Sequence, residues 1–245
     1  MENHILNVRG ATTPLWSFRT REKSSQYFED LKAIGANSVI IDFHLLTDSL
    51  SSSNVQWQKS SVRSELQVAI AEAGKSGLDV WLKPIVLIGD GSGTNWAKLD
   101  PPNKEQWFSS YQSILLDALS LDNGNTVSHL LLTNELETLT TNSENIPYWQ
   151  KLIQKFRETS DLELGFNAGG LLGGSQGTSE FENIQSELYS LVDFVGISAY
   201  PRITGSSLEE YSNGWTSDLY RNNSIEILQK FYVENNKDIY FTELG

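Results

Sequence analysis

Cysteine is absent from the 245 residues, which removes disulfide frameworks and thiolate metal sites together. Positive charge is scarce: 18 Lys and Arg stand against 31 Asp and Glu, for a formal net charge of -13. A surface that neutralises phosphates or anionic lipid needs the opposite balance, so neither nucleic acid nor a membrane is expected as a partner. No apolar run reaches the length of a membrane span, and Met1-Glu2-Asn3-His4-Ile5-Leu6 lacks the basic region and apolar core of an export signal. As written the chain is expected in the cytoplasm, and outside the cell if a leader precedes it. Oligomeric state leaves no mark on the composition. Histidine is rare, and its three occurrences are too scattered for a metal site. No carboxylate-rich calcium loop occurs either. Gly89-Asp90-Gly91-Ser92-Gly93 and the glycine-rich run 169–177 lack a P-loop Lys-Ser/Thr, and no G-x-S-x-G elbow is present. Neither a metal nor a cofactor is expected.

What the chain does contain is an alternation of short apolar runs and amphipathic stretches. Strands are expected at 5–13, 38–44, 79–88, 127–133, 162–167, 193–200 and 238–243, where β-branched and apolar residues cluster between polar boundaries. Helices are expected at 21–34, 64–75, 104–119, 147–159, 181–191 and 224–234 from apolar spacing of three and four residues, with Gly35 and Gly77 as stops. Repeated strand and helix units admit an open doubly wound sheet or a closed (β/α)8 barrel of roughly 250 residues. In an open sheet only the strands at the switch point carry the site. Here nearly every strand ends in a polar or aromatic residue, so the α/β barrel is the expected fold. It is expected as one catalytic domain over 1–245, truncated after strand seven with the eighth βα unit missing.

The chemistry is expected where Leu130-Leu131-Leu132-Thr133-Asn134-Glu135 and Ile239-Tyr240-Phe241-Thr242-Glu243 run from apolar strand into carboxylate. Two carboxylates across one barrel mouth are the machinery of glycoside hydrolysis: one protonated to assist the leaving oxygen, the other ionised to attack the anomeric carbon. A glutamate after a strand can equally cap the next helix, a weaker explanation for two of them together with Asn134.

Asn134-Glu135 after the fourth strand and Glu243 after the seventh resemble the retaining clan of (β/α)8 glycoside hydrolases. Gly35-Ala36-Asn37, Gly77-Leu78-Asp79-Val80-Trp81-Leu82-Lys83-Pro84, Thr133-Asn134-Glu135-Leu136-Glu137 and Thr242-Glu243-Leu244-Gly245 look most like glycoside hydrolase family 113, which contains β-mannanases. The resemblance implies a retaining endo-hydrolase of a β-linked polysaccharide, β-1,4-mannan or glucomannan first and other β-1,4-glycans second. It makes Glu135 the acid/base, Glu243 the nucleophile and Asn134 the donor to the sugar 2-hydroxyl. Tyr200 would donate to Glu243, and a hydrogen bond to a charged form favours that form. Ile85 departs from the family, which has a His after the Lys-Pro pair. A carbohydrate-binding protein without turnover is the alternative on the same scaffold.

Further substrate contacts are expected from His44 and Asn167 at strand ends, with a satisfied structural His and a turn or cap as their plainer readings. Lys83, inside an apolar strand, needs a carboxylate partner, either at the site or in a structural ion pair. Trp57, Trp96 and Trp215 could each stack on a pyranose, Trp96 being preferred, whereas Trp107 and Trp149 follow helical periodicity and belong to the core.

Overall fold

The longest apolar strand runs make the longest ladder. Ser38–Thr47 (β2) and Asp79–Ile88 (β3) pair in parallel over their whole length, with Asp42 opposite Lys83. Along both strands the side chains alternate. Val39, Ile41, Phe43, Val80, Leu82 and Val86 face the helices, in a core that contains Phe28, Leu66, Ile70, Trp107 and Trp149. Ile40, Asp42, Trp81 and Ile85 line the opposite face, on the inside of a curved sheet.

A computed structural model of the chain describes residues 8–15, 21–89, 96–124, 126–169, 186–199 and 224–244, with Ile184 and Ser207. Among them, seven parallel strands stand in sequence order: Gly10–Pro14 (β1), β2, β3, Val127–Leu131 (β4), Glu163–Ala168 (β5), Phe194–Ala199 (β6) and Asp238–Leu244 (β7). A two-residue antiparallel strand, Gln56–Trp57, is added to the end of β2. Helices Arg21–Ala33 (α1), Ser60–Lys75 (α2), Lys104–Leu119 (α3), Ile146–Thr159 (α4), Ser186–Leu191 (α5) and Ser224–Asn235 (α6) connect them. Consecutive parallel strands joined by helices and curled into a half-barrel are the architecture of a (β/α)8 barrel, with seven of its strands present. None of the described helices is long and apolar enough to cross a membrane.

Local chemistry sets the element ends. Gly35 and Gly77, at φ 92° and 69°, occupy the left-handed region just beyond α1 and α2. Asn103 caps α3 by accepting from the Gln106 amide at 3.0 Å. β2 runs three residues past His44, because Leu45 and Leu46 go on pairing with Val86 and Leu87. β4 stops short of Thr133. Just past its end, the Leu132 amide still donates to the Gly165 carbonyl of β5 at 2.7 Å, while the Leu132 carbonyl accepts from Tyr111 Oη of α3 at 2.9 Å.

The inner face is closed at its lower end by packed aromatics. Trp81 stacks on His129 at 3.8 Å between ring centres and meets Phe194 and Tyr240 at its edges, with Ile40 and Leu131 beside it. Above this floor the inward side chains turn polar.

Candidate active site

A cavity of about 980 Å³ occupies the inner face above the floor, and Asp42, Ile85, Trp96, Asn134, Glu135, Thr242 and Glu243 are on its wall. Glu135 and Glu243 therefore share one space, close enough that the charge of Glu243 acts on Glu135.

Glu135 is aimed by its backbone. Its φ is 55°, unusual for a residue with a side chain, and its amide donates to the Asn167 carbonyl at 3.0 Å. The side chain lies flat on Gly169, where an added Cβ would come within 2.8 Å of Glu135 Cγ. Trp96 Nε1 donates to its Oε2 at 3.3 Å. Burial pushes this carboxyl above its ordinary value and the charge of Glu243 adds to the rise, opposed by hydrogen bonds from Ser198 and Trp96.

Glu243 is aimed by an irregularity. The β6–β7 register slips after Ile197, so that Ser198 faces Glu243 where alternation would bring Thr242. A bulge of this kind turns two successive residues toward one face. Thr242 and Glu243 both turn inward as a result, one toward Asn167 and the other toward Lys83. The Thr242 hydroxyl donates to Asn167 Oδ1, and Lys83 Nζ lies 2.5 Å from Glu243 Oε1. Lys83 is fully buried and its Nζ is also 3.3 Å from Asp42 Oδ1.

Two acids with such unlike surroundings point to one reaction class, and the sequence agrees with the geometry: the profile of Glycoside Hydrolase Family 113 matches residues 11–245. The chain belongs to glycoside hydrolase family 113. No curated protein matches it significantly in sequence. Among solved structures, a family 113 β-1,4-mannanase captured as a complex is similar at 18% identity, covering 97% of this chain and 72% of that one with a TM-score of 0.73. The family 113 β-mannanase of Alicyclobacillus acidocaldarius gives 18% identity, 97% and 71% coverage and a TM-score of 0.73. The endo-β-1,4-mannanase of Thermotoga petrophila gives 16%, 97%, 60% and 0.65. At these identities the likeness is one of fold.

Within this family 113 chain, the residues expected at the site fall into distinct positions. Asn134 lines the cavity, with Oδ1 accepting from Asn167 Nδ2 at 3.0 Å. Asn167 itself stands behind the wall as a fully buried hub, giving its amide hydrogens to Asn134 and Ser198 and accepting from Thr242. Its expected role as a sugar contact gives way to one of positioning, since each polar atom of its side chain already has a partner. Lys83 likewise faces the Glu243 and Asp42 carboxylates in place of a sugar. His44 is not on the cavity wall; its side chain bonds Gln58, beside the added strand, and burial pulls its imidazole below the ordinary range. Trp57 packs on Phe43 and donates to Asp117, away from the cavity, whereas Trp107 and Trp149 are buried in the core as their periodicity predicts. Tyr200 and Trp215 lie outside the described residues.

The sequence reading missed Asp42. Its signal was a carboxylate inside an apolar run of β2, one strand away from an equally isolated Lys83. Among the described residues no group of His, Asp and Glu could hold a metal ion.

Proposed function

We propose that this family 113 chain is a retaining endo-β-1,4-mannanase acting on mannan or glucomannan, with Glu135 as acid/base and Glu243 as nucleophile. The observation that carries the reading is the contrast between two glutamates on one cavity wall. Glu135 is partly buried and held toward its protonated form, while Glu243 touches a buried ammonium.

In the first step the Glu243 carboxylate attacks the anomeric carbon while Glu135 gives its proton to the departing glycosidic oxygen, leaving a glycosyl ester on Glu243. In the second, Glu135 takes a proton from water as the water oxygen attacks the same carbon. The ester bond to Glu243 breaks, and two inversions give net retention. Asn134 has its carbonyl engaged by Asn167, which leaves its amide hydrogens to donate to a sugar hydroxyl. Such bonds accelerate the reaction to the extent that they tighten in the transition state. The choice of mannan follows the named activities of the similar family 113 structures.

The test is incubation with mannan and glucomannan oligosaccharides, following the anomer released by proton NMR. Early appearance of the β-anomer, with loss of turnover in Glu135→Gln and Glu243→Gln, supports the reading. Early α-anomer would replace it with inversion. Binding without product, unchanged by both substitutions, would leave a carbohydrate-binding protein.

A further inference from the structure

We propose that Asp42 is a positioning residue for the nucleophile, acting through Lys83 to set how firmly the Glu243 carboxylate is held. The inference rests on Glu243 being the nucleophile. Asp42 and Lys83 are register partners on β2 and β3, and both side chains turn to the inner face. One buried ammonium thus faces two carboxylates, at 2.5 Å from Glu243 and 3.3 Å from Asp42. The nearer contact is a hydrogen bond. The farther one is the longer and weaker contact, and Asp42 Oδ1 is fully screened from solvent, so that among the described residues Lys83 is the cation it faces.

A single cation cannot neutralise both the buried Asp42 and the partly buried Glu243, and an uncompensated buried charge is unfavourable. The proton count of the group therefore decides how Lys83 is shared. With Asp42 neutral, the ammonium belongs to Glu243 and the pair is complete. With Asp42 ionised, the second carboxylate draws on the same ammonium and loosens the nucleophile. Burial pushes Asp42 up to about 7, with Lys83 opposing the rise and Glu243 adding to it. Among the described residues the charged groups around it are Lys83 from β3, Glu243 from β7 and, beyond Glu243, Glu135 at the end of β4, with Arg9, just before β1, on the same cavity wall; the β1 residues in register, Gly10 to Pro14, carry no charge.

Asp42→Asn keeps the shape of the neutral acid and removes its titration. On the full chain, kcat and KM for a mannan oligosaccharide are measured for wild type and variant across the pH range, with thermal unfolding followed in the same buffers. Dividing the two kcat profiles cancels the titration of Glu135, which both proteins share. The expected result is a variant-to-wild-type kcat ratio that rises about threefold or more between about pH 5 and about pH 8, with KM little changed. Unfolding checks the proton count without turnover. A carboxyl raised in the folded state stabilises most below its unfolded value, and that contribution is lost as pH rises through the folded value. The melting temperature of wild type should therefore fall relative to Asp42→Asn from about pH 4 to about pH 7. A flat kcat ratio overturns the positioning role. If wild type shows no turnover on any mannan, the functional reading has failed separately. A melting-temperature difference independent of pH would then overturn the proposed proton count of the triad.

Discussion

The indole nitrogen of Trp96 donates to Glu135 Oε2 at 3.3 Å, joining the loop after β3 to the carboxyl at the end of β4. That bond favours the ionised carboxylate, against the burial that favours the acid. Trp96→Phe keeps an aromatic face and removes the donor. The alkaline limb of kcat/KM should move upward, because losing a bond to the charged form raises the carboxyl further. A limb that stays in place or moves down would show that the indole does not act on Glu135.

Gly169 presents bare backbone to the Glu135 side chain, with room for no Cβ. Gly169→Ala should displace the carboxyl and lower kcat on oligosaccharides by roughly ten- to a hundredfold, a part of what general acid catalysis supplies. On an aryl mannoside whose leaving group needs no proton, the loss in glycosylation should be much smaller. Equal losses on both substrates would point to general disruption of the site.

Lys83→Met would leave two carboxylates on the cavity wall without their ammonium. Breaking a buried ion pair from one side costs about 3–5 kcal/mol, so the denaturation midpoint should fall steeply along with kcat. Lys83→Met combined with Asp42→Asn should recover part of the stability by removing one anion. A double variant as unstable as the single one would mean that Asp42 does not compete for Lys83.

Thr242→Val removes the donor to Asn167 Oδ1 at nearly constant volume. A buried carbonyl left unsatisfied costs about 1–3 kcal/mol, read as a lower urea midpoint at constant m-value. Asn134, oriented by the same Asn167, should then bind the transition state less well, lowering kcat more than it raises KM. Unchanged stability would show that Asn167 is satisfied some other way.

Much of the framework was legible because periodicity and punctuation are local. Asp79–Ile88 and Lys104–Leu119 fall where the residue pattern puts them, and Gly35 and Gly77 stop helices at positive φ. Strand ends were less legible. β2 continues through Leu46 to Thr47 because β3 offers partners, which is a fact about the neighbouring strand. Glu135 and Glu243 stood out as carboxylates ending apolar runs. Asp42 did not, since its meaning depends on lying opposite Lys83 across a ladder. Asn167 looked like a ligand contact because a polar residue at a strand end has the same sequence signature whether it faces the cavity or the network behind it.

The order of strands and helices, and the placing of two glutamates at two strand ends, follow from the sequence by itself, because side-chain spacing and backbone preference act over a few residues. Tertiary structure alone decided which groups meet. The slip between β6 and β7 turns both Thr242 and Glu243 inward, and curvature of the sheet carries Lys83 to Glu243 across 160 residues of chain. Contacts of that kind depend on register and burial, which arise only when distant strands pack against one another.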